Sequence, residues 1–254
     1  MKERLDSYLS AREQIDIEQI NTLIMTGKVI VDGTIETKPG RQISDRNQIQ
    51  LIGLPRRYPA RSAEKLIGAI SDFSKYNIHD KISGRVCVDL GASNGGFTQV
   101  LLEHGAKKVY CIDVGYGLLD HKLQQDQRVV VLDRHNIKDI DITWFDKADF
   151  QYQPWFISSD ISFLSIVTVF ESLASFAHRS GTSFYGIFLL KPQFEASAQT
   201  YKGIIKDESL RQSIKQDVIE KAIKLGFEII ATADSKLTGR KGNIEICLLC
   251  RFGI

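Results

Sequence analysis

From residue 85 to the C-terminus, short continuous apolar runs alternate with stretches in which apolar residues recur at helical spacing. Continuous runs bounded by turn residues mark strands buried on both faces, whereas recurrence at i, i+3, i+4 and i+7 marks amphipathic helices. The pattern predicts strands near 85–90, 108–114, 129–133, 155–160, 184–191, 227–234 and 244–252, with helices at 95–105, 165–178 and 207–225. Such alternation needs crossover connections. The expected fold class is therefore α/β, a mostly parallel, doubly wound, Rossmann-like sheet with helices on both faces. Ligands of such sheets bind beyond the carboxyl ends of the strands.

The first fifty residues follow a different pattern. Arg4-Leu-Asp-Ser-Tyr-Leu opens a short amphipathic helix, and Ile17, Ile20, Leu23 and Ile24 give a second that stops at Gly27. Two apolar runs around an Asp32-Gly33 turn follow, then a turn at Lys38-Pro-Gly-Arg41 and an apolar run at 47–52, so a small α+β unit is expected over 1–53. Leu54-Pro-Arg56-Arg57-Tyr58-Pro59 reads as a linker, 54–62, with the larger domain over 63–254. A further helix begins near Arg61, with Lys65 in its first turn. That position opposes the helix dipole unless something else uses the charge.

The 254 residues are 43% apolar, enough for a sizeable core. No apolar run reaches the roughly 20 residues that span a bilayer, and the charged start Met1-Lys-Glu-Arg argues against a secretory signal, so a cytoplasmic protein is expected. Cys87, Cys111, Cys247 and Cys250 all lie in strand-like runs. Spacing of three on a strand points Cys247 and Cys250 to opposite faces, which excludes a shared metal, and none is expected elsewhere.

The most informative stretch is Val88-Asp89-Leu-Gly91-Ala92-Ser93-Asn-Gly95-Gly96-Phe97, a strand, a tight turn and a helix start. A dinucleotide fingerprint would place a second glycine at Ser93 and aim the helix at a pyrophosphate. The spacing Asp-x-Gly-x-Ser-x-Gly instead suits S-adenosylmethionine, which has no phosphate. Asp89, Gly91, Ala92, Ser93, Gly95 and Phe97 are the expected cradle. Asp113, ending the next strand about 20 residues on, can accept the hydroxyls of an adenosine ribose. Asn136, after the third strand, can present an amide to adenine or form an Asx turn.

Two later strands end unusually. One finishes on a carboxylate, Ser158-Ser-Asp160-Ile-Ser162-Phe, and the next on a lysine, Leu190-Lys191-Pro-Gln-Phe-Glu195. Burial at such a strand end favours an uncharged amine, which can take a proton from a hydroxyl.

With Lys202-Gly-Ile-Ile-Lys-Asp207, these motifs resemble the hemolysin A (TlyA) family of ribosomal RNA 2'-O-methyltransferases, whose catalytic domain is FtsJ-like. The N-terminal unit resembles an S4 RNA-binding domain, through Arg-Leu-Asp-x-x-Leu, Ile-x-x-Gly-x-Val-x-Val-Asp-Gly and Lys-Pro-Gly-x-x-Ile. The resemblance implies a catalytic set of Lys65, Asp160, Lys191 and Glu245, with Lys191 as base, Lys65 tuning it and the two carboxylates holding it. Asp160 is also expected beside the cofactor. Ribosomal RNA or a ribosomal subunit is the implied partner and a cytidine ribose the implied target. Arg61-Ser-Ala-Glu-Lys65-Leu lacks the two glycines that the family carries before its first lysine.

Phosphate contacts are expected from Arg4, Arg12, Lys28, Lys38 and Arg41, from the linker residues Arg56 and Arg57, and from Lys202, Arg240 and Lys241. Residues 1–60 carry nine Lys/Arg against eight Asp/Glu, a net +1, so the N-terminal contribution is expected to be modest. Two other readings compete. A non-catalytic RNA-binding or ribosome-associated protein would keep a vestigial pocket, and a small-molecule methyltransferase would leave the S4-like unit idle. The family's hemolysin name finds no pore-like segment to support it, and the pattern leaves the oligomeric state open.

Overall fold

The computed structural model describes residues 2–13, 15–52, 58–196, 203–239 and 241–254. Arg56, Arg57, Lys202 and Arg240, named above as phosphate contacts, lie outside them. The chain divides into two compact units, 1–57 and 58–254.

In the first unit α1 (Leu5–Glu13) and α2 (Ile17–Met25) pack on two small antiparallel sheets. β1 (Glu3–Arg4) pairs with β4 (Gln42–Ile43), and β2 (Val29–Val31) lies between β3 (Thr34–Glu36) and β5 (Ile49–Leu51). Asp16 caps α2 by accepting from Glu18 N, and Leu5, Leu9, Ile20, Ile24, Val29, Val31 and Ile43 form its core.

The second unit opens with α3 (Ala63–Asp72) and α4 (Ile78–Ile82). It continues with β6 (Val86–Leu90), α5 (Gly96–Glu103), β7 (Lys108–Asp113), α6 (His121–Gln124), β8 (Val129–Asp133), β9 (Trp155–Ser159), α7 (Ile166–Ser180), β10 (Phe184–Leu190) and α8 (Pro192–Glu195). The last elements are α9 (Glu208–Lys224), β11 (Glu228–Asp234) and β12 (Ile246–Phe252). The seven strands form one sheet in the order β11-β12-β10-β9-β6-β7-β8, parallel from β10 to β8, with β12 antiparallel to both its neighbours.

Side chains alternate between two cores across this sheet. Val86, Val88 and Leu90 face α7 and α9 through Phe170, Leu173 and Val218, whereas Cys87, Val109 and Phe156 face α3 and α5 through Leu66, Val100 and Leu101. The cysteine spacing resolves as expected, with all four thiols buried and free, Cys247 in one core and Cys250 in the other. The chain runs from β6 out to β7 and β8, then returns past β6 to β9. Strand order therefore reverses between β6 and β9, the position where such sheets open a crevice at their carboxyl ends.

Candidate active site

A cavity of about 760 Å³ opens there, within the range typical of small-molecule sites. At one end Gly91, Ser93, Asp113, Val114, Leu118, His135, Asn136 and Ile137 line it, and at the other Lys65, Asp160, Ser162, Lys191, Lys241 and Glu245.

Four amides of the turn after β6 are used within the fold. Gly91 N and Ala92 N donate to Ile112 O, Gly95 N to Ala92 O, and Ser93 N to Asp113 Oδ2 at 2.8 Å. A pyrophosphate would need such N–H groups free, and these four are not. Asp113 also accepts from Gly115 N at 2.7 Å, and each of its oxygens keeps a lone pair for a ribose hydroxyl. Gly91, at φ +78°, brings the turn against the next loop, because a Cβ there would lie 3.2 Å from Ile161 N and Cα. Asn136 forms the Asx turn, accepting from Lys138 N at 3.1 Å, and still lines the cavity.

Four cradle residues named from sequence do not line the cavity. Phe97 and Ala92 are buried in the core that holds α3 and α5, and Gly95 starts α5 against Leu119 and Leu123. Asp89 is fully buried inside the last rung of β6, where Thr98 Oγ1 donates to it at 2.7 Å and Ser158 Oγ at 3.1 Å. Burial pushes its carboxyl up to about 7, against the pull of the two hydroxyls. Asp89 thus ties β6 to α5 and β9 beneath the site.

The four residues of the implied catalytic set converge. Asp160 follows the last residue of β9, Lys191 the last residue of β10, Glu245 immediately precedes β12, and Lys65 sits in the first turn of α3. Lys65, Lys191 and Glu245 are only 7%, 5% and 3% exposed. Asp160 bridges the two amines, with Oδ1 at 2.7 Å from Lys191 Nζ and 3.1 Å from Lys65 Nζ. Glu245 Oε2 lies 2.7 Å from Lys65 Nζ. The expected arrangement is corrected in one respect, since Glu245 pairs with Lys65 and Lys191 is held by Asp160. Burial alone would favour an uncharged Lys65, but the two carboxylates outweigh it and raise its proton affinity above the ordinary lysine value. The lysine that opposes its helix dipole thus has two anions for partners.

Gly96, quoted in the motif without a role, is what lets α3 reach this point. A Cβ there would meet Ser62 Oγ at 2.5 Å and Ala63 N at 3.0 Å, so the starts of α3 and α5 touch across it. Sequence reasoning also missed Glu195, which accepts from Ser165 Oγ at 2.6 Å and Ile166 N at 2.7 Å and so fastens α8, just after Lys191, to the start of α7. Capping over 29 residues leaves no local spacing signal. Phe163 is 91% exposed at φ +65°, a conformation that bulky residues avoid, and its ring lies 5.3 Å from that of Phe194 on the same cavity wall.

Among the arginines named for RNA, Arg4 pairs with Asp6, Arg12 with Glu13, and Arg41 with Glu36 at 2.6 Å. No partner is seen for the side chains of Lys28 or Lys38 among the described residues. Those residues also hold no cluster suited to a metal and no helix long and apolar enough to cross a membrane.

A seven-stranded sheet of this order, with a phosphate-free cradle at its switch point, defines a methyltransferase fold whose cofactor is S-adenosylmethionine. Residues 58–252 match the FtsJ-like methyltransferase family. The chain is similar to hemolysin A of Brachyspira hyodysenteriae, 36% identical over 245 residues that cover 95% of this chain and 97% of the relative. It is similar also to the 16S/23S rRNA (cytidine-2'-O)-methyltransferase TlyA of Mycobacterium tuberculosis, 35% identical over 238 residues covering 92% and 84%. A solved structure described as a hemolysin of Streptococcus thermophilus superimposes with a TM-score of 0.70 at 32% identity, covering 99% of this chain and 88% of that one. The chain belongs to the FtsJ-like methyltransferases and, within them, to the hemolysin A/TlyA family.

Proposed function

We propose that this protein transfers a methyl group from S-adenosylmethionine to a ribose 2'-hydroxyl of ribosomal RNA, at a cytidine. The observation that carries the reading is the cluster of two lysines and two carboxylates at one end of the cavity, opposite the cradle that suits a nucleoside. Relatives over most of the chain bear the names of cytidine-2'-O-methyltransferases of ribosomal RNA.

The cofactor supplies a methyl already activated by its positive sulfur. A 2'-hydroxyl is a poor nucleophile, so the protein's task is to align it and remove one proton. Lys191 is the group that receives the proton. Asp160 orients Lys191 and links it to Lys65, while Glu245 balances the charge of Lys65. Asp113 and Asn136 hold the nucleoside part of the cofactor beside Gly91 and Ser93. Phe163 and Phe194 offer a surface on which the target base can stack, and Lys241 supplies a cation at the cavity wall for a phosphate.

The N-terminal unit acts as an S4-like RNA-binding module, with Lys28 and Lys38 among the cations that can meet phosphate. Arg12 and Arg41 must exchange an acidic neighbour for a phosphate, which surface ion pairs permit at little cost, whereas Arg4 would have to leave the buried Asp6. The chain works in the cytoplasm, where ribosomal subunits are assembled.

Incubating the protein with ribosomal RNA and methyl-labelled cofactor, then digesting the RNA to nucleosides, tests this. Mass spectrometry should show 2'-O-methylcytidine. A label on a base, or none on RNA, rules the reading out.

A further inference from the structure

Lys191 Nζ has three contacts, to Asp160 Oδ1 at 2.7 Å, Asp160 O at 3.1 Å and Ser162 Oγ at 2.9 Å. An ammonium has three N–H donors and no lone pair, so these contacts use all of it. An amine ready to receive a proton has two N–H donors and one lone pair. The carboxylate and the carbonyl can only accept, and they keep the two N–H groups. The lone pair then faces Ser162, whose hydroxyl is the one partner that can reverse and donate. Accessibility points the same way: Lys191 is 5% exposed, whereas Ser162 is exposed and lines the cavity.

We propose that Ser162 is a further catalytic residue, relaying the proton from the ribose hydroxyl to Lys191. The inference rests on the 2'-O-methyltransferase reading. In the step the carbon–sulfur bond to the methyl breaks as the carbon–oxygen bond forms, leaving a neutral thioether. The 2'-hydroxyl proton passes to Ser162 Oγ, and the serine's own proton passes to Lys191 Nζ. Two protons move, the serine hydroxyl is regenerated, and Lys191 ends as an ammonium bound on three sides.

The test compares wild type with Ser162→Ala and Ser162→Thr under single-turnover conditions with saturating cofactor and RNA. Ser162→Ala should lower the methylation rate by about 10 to 100-fold, within the usual reach of a proton-transfer group. Ser162→Thr should recover most of that loss. S-Adenosylhomocysteine affinity by calorimetry and the thermal midpoint should stay at wild-type values. The rate in mixtures of light and heavy water distinguishes a relay from packing. Wild type should show a curved dependence from two moving protons, and Ser162→Ala a straight one. An Ser162→Ala variant with the wild-type rate, or with the same curvature, overturns the relay while leaving the ribose reading intact. A wild type that methylates no ribose overturns both.

Discussion

Two acids end neighbouring strands of the same sheet and do different work. Asp89 is one residue inside the end of β6 and Asp160 one residue beyond the end of β9. The first accepts from the hydroxyls of Thr98 and Ser158, and burial drives it toward the neutral form. The second meets the amino groups of two lysines and the cavity. A carboxylate inside the last rung becomes a buried tie between elements, and one just past it becomes a bridge for charge. A difference of a residue or two along a strand separates scaffold from chemistry.

Replacing Asp160 should break this contrast most severely. Asp160→Ala leaves Lys191 without its anion and Lys65 with Glu245 alone, and stripping one partner from a buried ionic cluster typically costs about 3 to 5 kcal/mol. Single-turnover methylation should fall by on the order of 1,000-fold, and chemical denaturation should register the stability loss. Asp160→Ala with wild-type stability would mean that the cluster is not balanced as described.

Asp89→Asn sharpens the other half. Because the folded-state proton affinity of Asp89 is raised, its neutral form is favoured on folding. That contribution is fully present below about pH 4 and is lost as pH rises toward about 7. Over roughly three pH units at about 1.4 kcal/mol each, it amounts to about 4 kcal/mol. Urea midpoints measured from pH 4 to 7 should fall less steeply with rising pH in Asp89→Asn than in wild type. Parallel slopes would show that the acid is charged when buried.

Glu195→Ala should cost about 1 to 2 kcal/mol, the worth of a helix cap, and lower the methylation rate through the loosened 160–165 loop. Thermal melts and rates together check it, and a rate unchanged in a destabilised protein would confine Glu195 to the scaffold. The smallest effect belongs to Arg41→Ala on the first unit. Arg41 already pairs with Glu36, so RNA affinity should drop less than tenfold and the salt slope should change by less than about one. A larger change in the slope would make Arg41 a principal phosphate contact.

Much of the second unit was legible because its central strands, buried on both faces, read as unbroken apolar runs. The expected limits of β6 to β12 fall within about two residues of the observed ones. Apolar pattern gives a strand's extent but not which way a polar residue near its end faces, so the burial of Asp89 away from the cavity could not be read from it. The convergence of Lys65, Asp160, Lys191 and Glu245 followed from a family likeness and from strand ends sharing one edge of a sheet, whereas their pairing did not. Nothing local to Glu245 shows that it faces Lys65 and not Lys191. Glu195 and Gly96 act on partners far along the chain or through the absence of a side chain, and neither leaves a mark in periodicity. In the first unit the helices and the turn at Asp32-Gly33 were readable, but the pairing of Arg12 with Glu13 and of Arg41 with Glu36 depends on rotamers that spacing does not encode.

In the function we propose, the buried lysine after β10 receives the proton of a ribose hydroxyl. The most direct test is single-turnover methylation of ribosomal RNA by Lys191→Ala, read as 2'-O-methylcytidine by nucleoside mass spectrometry, with S-adenosylhomocysteine affinity measured on the same preparation. The rate should fall by at least about 100-fold with the affinity unchanged. Ribose methylation at the wild-type rate in that variant would contradict it.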